Sequence, residues 1–217
     1  WEARHTLQQQ LYEAVTDYVR EGYNKAAREK KAYIGFLMIL FQRMVSSSTE
    51  AIIDSLQRRL NVLSTQSEQL HMVNLTDVID GELEESLDEA LLSLSMGIQQ
   101  ETEQLEDLLA LARQARAQYL DAKAERLTEL LERIRRNEPD AKIILFTEFV
   151  ATQQALRQLC EFSGFSTTLI NGSMALEERN LSLRDFRRNK SILISTDAGG
   201  EGLNLQFAHI VINYDLP

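Results

Sequence analysis

Three short polar stretches carry the residue types that handle phosphate. They are Thr147-Glu148-Phe149, Asn171-Gly172-Ser173 and Ser195-Thr196-Asp197, the last running on into Gly199-Gly200-Glu201-Gly202. Each follows a short apolar run and precedes an amphipathic stretch, so each reads as the turn between a strand and a helix. A helix start offers unpaired N–H groups and a partial positive charge, which together can hold phosphate oxygens. Hydroxyls of Thr147, Ser173 and Thr196 can add donors, and glycine lets a ligand approach the main chain closely. Capping and turn-making alone would account for any one of these stretches. Three of them emerging at the carboxyl edge of one sheet point to a shared ligand surface. Glu148, Asp197 and Glu201 keep anion binding there modest, or face other groups.

Other chemistries find little support. None of the nine glycines is followed by lysine, so the G-x-x-x-x-G-K-[ST] phosphate loop is absent. Asp88-Glu89-Ala90-Leu91 imitates an acidic Mg²⁺-binding box, but it lies in an acidic helical pattern and not at the end of an apolar strand. Gly200-Glu201-Gly202 lacks the third glycine of a dinucleotide fingerprint. His5, His71 and His209 show no ligand spacing, and with one cysteine no metal site is expected. Cys160 sits in a helical pattern between Leu159 and Phe162 and reads as a buried apolar residue, not a nucleophile. Asp215, just past the last apolar run, reads as a turn residue with a functional role as the alternative.

The elements that must position these residues fall in the last third of the chain. Apolar runs at 143–146, 167–170, 192–194 and 210–212 predict strands, and 150–162 and 176–188 predict helices between the first three. That alternation implies a parallel sheet with right-handed crossovers. A further helix from Lys123 to about Arg136 is stopped by Pro139. Residues 1–138 contain no proline and are rich in Leu, Ala, Glu, Gln and Arg, a helix-forming composition. Stripes at Leu7, Leu11, Val15, Tyr18 and Val19, at Ile34 to Val45, and at Ile52 to Leu63 predict three helices, the third capped from Ser46-Ser47-Ser48-Thr49. Two more are expected around 83–94 and 105–119.

Charge is unevenly spread over the 217 residues. The total of −10 resolves into +2 for 1–63, −10 for 64–138 and −2 for 139–217. No part is basic enough for tight nucleic-acid binding by itself. The lone cysteine suits a reducing compartment, and the longest apolar run, 34–41, is far short of a membrane span. A soluble, cytoplasmic chain with no membrane partner is expected.

The blocks just described resemble the second RecA-like lobe of superfamily-two helicases, most closely the Swi/Snf-type DNA-translocating ATPases. Phe146-Thr147-Glu148-Phe149 resembles motif IV, Ile170-Asn171-Gly172-Ser173 the next block, and Ile194 to Leu205 motif V; Val211 to Pro217 is similar to the strand that follows. Residues 1–63, with Leu56-Gln57-Arg58-Arg59-Leu60, resemble more weakly the helical connection of a bacterial branch. The fold implied is α/β: a truncated RecA-like parallel sheet of the P-loop NTPase type behind a large all-helical region. The domains expected are a helical connection (1–63), an acidic helical insertion built as a helix pair (64–121), and the incomplete lobe (122–217).

The resemblance implies that ATP and Mg²⁺ sit between two lobes in the full-length protein, with none bound tightly by this piece. It implies that Thr147, Asn171, Gly172, Ser195 and Thr196 face double-stranded DNA phosphates, and that Gly200, Glu201, Gly202 and Asn204 face the nucleotide cleft. It names no catalytic residue here, because motif VI and its arginines do not appear and Arg135-Arg136 and Arg187-Arg188 stand in the wrong context. The expectation is a piece of a DNA translocase, inactive alone, whose missing first lobe leaves apolar surface able to self-associate. The rivals are an acidic helical adaptor on an α/β platform and, further off, a nucleotide-cofactor enzyme such as a methyltransferase using Gly199–Gly202.

Overall fold

The computed structural model describes residues 5–29, 32–65, 98–118, 121–200 and 205–215. They form two compact units that part between Asp121 and Ala122. The expected helix at 83–94, the Asp88-Glu89 box and His71 lie outside the described residues.

The first unit is helical: α1 (Thr6–Glu29), α2 (Ala32–Ser47), α3 (Thr49–Thr65) and α4 (Ile98–Gln118). The stripes predicted from α1 and α3 are its core, with Leu11, Val15, Tyr18, Ile52 and Leu56 buried against Leu105, Leu109 and Ala112 of α4 and Phe41 and Met44 of α2. Tyr18 and Phe41 meet edge to face at 5.9 Å. Ser48 caps α3, its hydroxyl accepting the Ala51 N–H at 3.1 Å. Asp121 adds a second cap, accepting the Thr49 N–H at 2.9 Å and its hydroxyl at 3.0 Å.

Inside this unit Arg59 and Glu101 form an ion pair, Nε to Oε1 2.7 Å, both side chains buried. The Tyr18 hydroxyl donates to the same oxygen at 3.2 Å. Burial, with the Glu101 charge beside it, raises the Tyr18 phenol far above its ordinary value.

The second unit comprises α5 (Ala122–Asn137), β1 (Ile143–Thr147), α6 (Val150–Phe162), β2 (Thr167–Ile170), α7 (Leu176–Arg188), β3 (Ile192–Thr196), the short turn α8 (Asp197–Gly200) and β4 (Ile210–Asn213). Its strands form one sheet in the order β2-β3-β1-β4, every pairing parallel. Alternation along β1 and β3 divides the core. Ile143, Leu145, Ile192 and Ile194 face Leu127 and Leu131 of α5 and Leu156 and Cys160 of α6. Ile144 and Leu193 face Phe186 of α7, with Phe207 packed beside it. This is the RecA-like α/β fold expected from the sequence.

Two details of the connections matter for the site. Helix α6 ends in a Schellman motif, in which Phe165 N–H reaches the Cys160 carbonyl and Gly164 N–H the Glu161 carbonyl. Gly164 sits there at φ +80°, the left-handed conformation that favours glycine. The Cys160 thiol is buried beneath that end, and its pKa is pushed up to about 12 by the burial, so it is a packing residue.

Candidate functional site

The register places the three junctions on one edge. Thr147 stands opposite Thr196, and Ile170 opposite Ser195, so β1, β2 and β3 end side by side and release their chains at the same rim. The two central strands run further than their apolar runs. β1 takes in Thr147, and β3 takes in Ser195 and Thr196. Ladder pairing is a property of the main chain, so it continues past the last apolar side chain while partners remain. The stretch after Thr196, read from sequence as a glycine-rich turn, opens as α8.

That extension buries the side chains expected to point at a ligand. Thr147, Asn171, Ser195 and Thr196 are all buried, Ser195 and Thr196 completely. Each has a protein partner. The Thr147 hydroxyl donates to Asp215 Oδ2 at 2.6 Å. Thr196 Oγ1 accepts the Gly199 N–H at 3.3 Å, and Ser195 Oγ donates to the Thr196 carbonyl at 2.8 Å. The Ser173 hydroxyl donates to Asn171 Oδ1 at 2.8 Å. These groups shape the rim from within. Ser173 and Asp197 are the exposed residues at the junction tips, with Gly172 half-buried beside Ser173.

Gly199 shows the same inward logic. A Cβ there would lie 2.6 Å from Asn171 Cα and 2.8 Å from the Ile170 carbonyl oxygen. The close approach that glycine permits is therefore used by the end of β2, so α8 seats directly on the neighbouring junction. A cofactor at Gly199, as the methyltransferase reading required, would have to share that space. Gly200 is described only as the last residue of α8, and Glu201, Gly202 and Asn204 lie outside the described residues.

Arg179, from α7, fastens the Asn171–Met174 turn. Its guanidinium donates to the Gly172 carbonyl and, at 3.0 Å, to the Met174 carbonyl. A planar fork suits two neighbouring carbonyls in a way that a lysine would not.

Two residues outside the three junction stretches organise the rim. Gln153, completely buried on α6, donates from Nε2 to the Ile170 and Ile194 carbonyls, both at 2.9 Å, while its Oε1 accepts the Asn171 amide at 3.1 Å. Asp215, read from sequence as a turn residue, is instead the acceptor that joins β1 to the exit of β4. Its Oδ2 takes the Thr147 hydroxyl and the Glu148 N–H at 2.9 Å, and its Oδ1 takes Lys123 Nζ at 2.9 Å. Burial alone would raise its pKa. The Lys123 ammonium and the two hydrogen bonds to Oδ2 outweigh that and hold it below the usual carboxylate range. Lys123 also lies over the Tyr214 ring at 4.2 Å. One sequence signal for Asp215 was available: a lone acid directly after an apolar strand whose neighbour ends in threonine. Gln153 carried none, because a glutamine in a helix reads as surface.

Among the described residues no group of three or more His, Cys, Asp or Glu side chains is placed to hold a metal.

Comparison with known proteins bears on this unit. Residues 122–217 match the helicase conserved C-terminal domain. An uncharacterized ATP-dependent helicase, YqhH of Bacillus subtilis, is 38% identical over 97 residues, covering 45% of this chain and 16% of that protein. The ATP-dependent rRNA helicase RRP3 of Candida glabrata is 38% identical over 76 residues, covering 35% of this chain and 15% of that protein. The chain thus spans about a sixth of the length of these relatives. The helicase domain of Pyrococcus furiosus Hef has a similar fold, with a TM-score of 0.55 and 17% identity over 96% of this chain and 46% of that one. Over residues 122–217 the α/β unit is therefore similar to the helicase conserved C-terminal domain.

Proposed function

We propose that this chain supplies the second motor lobe of an ATP-dependent helicase or translocase, and that the rim of its sheet meets the nucleic-acid backbone. The observation that carries the reading is the shared edge: Thr147 and Thr196 in register, with Asn171 and Gly172 following β2 at the same level. The buried side chains of Thr147, Asn171, Ser195 and Thr196 fix the course of the main chain there, and the Gly172–Ser173 turn is the accessible contact. Contacts of this kind hold a phosphate backbone without reading bases, as movement along a strand requires. Gly200, Glu201, Gly202 and Asn204 belong to the nucleotide side. ATP and Mg²⁺, when bound, supply the phosphoryl-transfer chemistry, and a partner lobe provides the phosphate loop that this chain lacks.

Double-stranded DNA is the first reading of the nucleic acid, in line with the Swi/Snf-type resemblance of residues 122–217. RNA is the second, and the similarity to an rRNA helicase favours it. The test is ATP turnover by the complete protein with duplex DNA, with single-stranded RNA and with neither. Stimulation by duplex DNA of tenfold or so is expected. Stimulation by RNA alone replaces the DNA reading with the RNA one. No response to either overturns the motor assignment.

A further inference from the structure

Gln153 lies outside the three junction stretches, yet its side chain reaches the ends of β2 and β3 and the turn after β2. It enters from the first turn of α6, where Phe149 precedes the helix without a side-chain cap. Its single amide spans two strands and a loop. The Nε2 group has two hydrogens, and the structure gives each a carbonyl: Ile170 at the end of β2 and Ile194 near the end of β3, both at 2.9 Å. A carbonyl oxygen has two lone pairs, so each can serve the amide as well as the sheet ladder. The remaining Oε1 receives the Asn171 amide at 3.1 Å, and Asn171 Oδ1 receives the Ser173 hydroxyl at 2.8 Å. The chain of contacts thus runs from α6, through a fully buried amide, to the accessible Gly172–Ser173 turn. Helix α8 is seated against Ile170 and Asn171, so the middle of the motif V stretch rests on the same two residues.

We infer that Gln153 is a positioning residue for nucleic-acid engagement, setting the β2 and β3 ends of the rim at one height. This rests on the motor-lobe reading above and adds a specific residue to it. An apolar residue of similar volume would keep the packing and leave two carbonyls and the Asn171 amide without this partner. A glutamate would keep the acceptor for Asn171 but aim an oxygen at two carbonyl oxygens. Buried in that setting, its carboxyl would hold its proton to higher pH than an exposed glutamate. While protonated it offers one O–H to one carbonyl, and when ionised it offers none.

The experiment uses the complete ATP-hydrolysing protein, with duplex DNA and single-stranded RNA as probes. For Gln153→Leu the half-saturating concentration of the stimulating nucleic acid should rise about tenfold to a hundredfold, the scale of losing buried hydrogen bonds. Turnover at saturation should fall by less than about threefold. For Gln153→Glu the same defect should grow as pH rises and shrink as pH falls, a profile absent from the wild type. An unchanged half-saturating concentration in both variants overturns the proposal. So does an equal fall in turnover at all nucleic-acid concentrations with no pH dependence.

Amide hydrogen exchange gives a second readout that needs no motor activity. Faster exchange confined to Asn171–Ser173 and Ser195–Gly199 supports positioning, whereas faster exchange across β1 to β4, or none, overturns it. If wild-type turnover ignores nucleic acid while the exchange change stays local, the motor reading fails and takes the nucleic-acid role of Gln153 with it, leaving only its hold on the two strand ends.

Discussion

In the helical unit a buried charged pair from two helices shares a tyrosine hydroxyl from a third, whereas in the α/β unit buried polar side chains collect around the strand ends. Arg59, Glu101 and Tyr18 form the first set, all three buried and meeting at one carboxylate oxygen. Thr147, Gln153, Asn171 and Thr196 form the second, and their partners are mostly main-chain groups or each other. The difference shows what each burial does. A buried ion pair inside a bundle sets which helices meet and in what register, because any other packing leaves a charge alone. Polar groups at strand ends set the height and direction of loops, which is where an α/β sheet places its ligands.

The comparison breaks first at the ion pair. Replacing Glu101 with leucine leaves Arg59 buried beside an apolar side chain, which should cost about 3–5 kcal/mol. Replacing Arg59 with methionine in the same chain should restore most of that loss. Denaturant unfolding of the two single variants and the double variant measures both; additive losses would mean that the pair does not act as a unit.

Gly199→Ala probes the other region. Its Cβ would collide with main-chain atoms that cannot rotate away, so α8 or the end of β2 must shift. A loss of about 1–3 kcal/mol is expected, the scale of overpacking. Hydrogen exchange should quicken at Asn171 and Gly199 and stay as it was in α1 to α4. Exchange that quickens in the helical unit instead would remove the distinction between the two regions.

Asp215→Asn should have the smallest effect and the clearest pH signature. The folded state holds the Asp215 carboxyl below its ordinary value, so its contribution is complete above the ordinary carboxylate pKa of about 4 and is lost as pH falls through the lower folded value. The variant should therefore be less stable than wild type by about 1–2 kcal/mol at neutral pH, where the bonds to Lys123, Thr147 and Glu148 are charge-assisted. As pH falls through that lower folded value the two stability curves should converge. A gap that persists into acid would assign the residue a steric role.

Much of the α/β unit was legible in advance for a simple reason: its helices and strands are short and strictly periodic. The helices Val150–Phe162 and Leu176–Arg188 and the strand Thr167–Ile170 have the bounds that apolar spacing predicts. The ends of β1 and β3 were not legible, because Thr147, Ser195 and Thr196 are polar and a hydropathy pattern stops before them. Their hydroxyls read as ligand donors for the same reason, since nothing in a linear pattern shows Asp215 waiting 68 positions away. The pairing of Arg59 with Glu101, 42 positions apart, was hidden in the same way. Each looks like an ordinary charge on a helix until the helices are packed.

The amino-acid order determined the elements, their alternation, and hence a parallel sheet whose strand-to-helix turns share an edge, because side-chain periodicity and connection handedness are local properties of the chain. Only the tertiary structure decided which polar groups face outward at that edge. Burial depends on neighbours brought from distant positions, and a buried hydroxyl or amide must find its partner among whatever those neighbours present. Gln153, Asp215 and Gly199 acquired their places at the rim from that requirement.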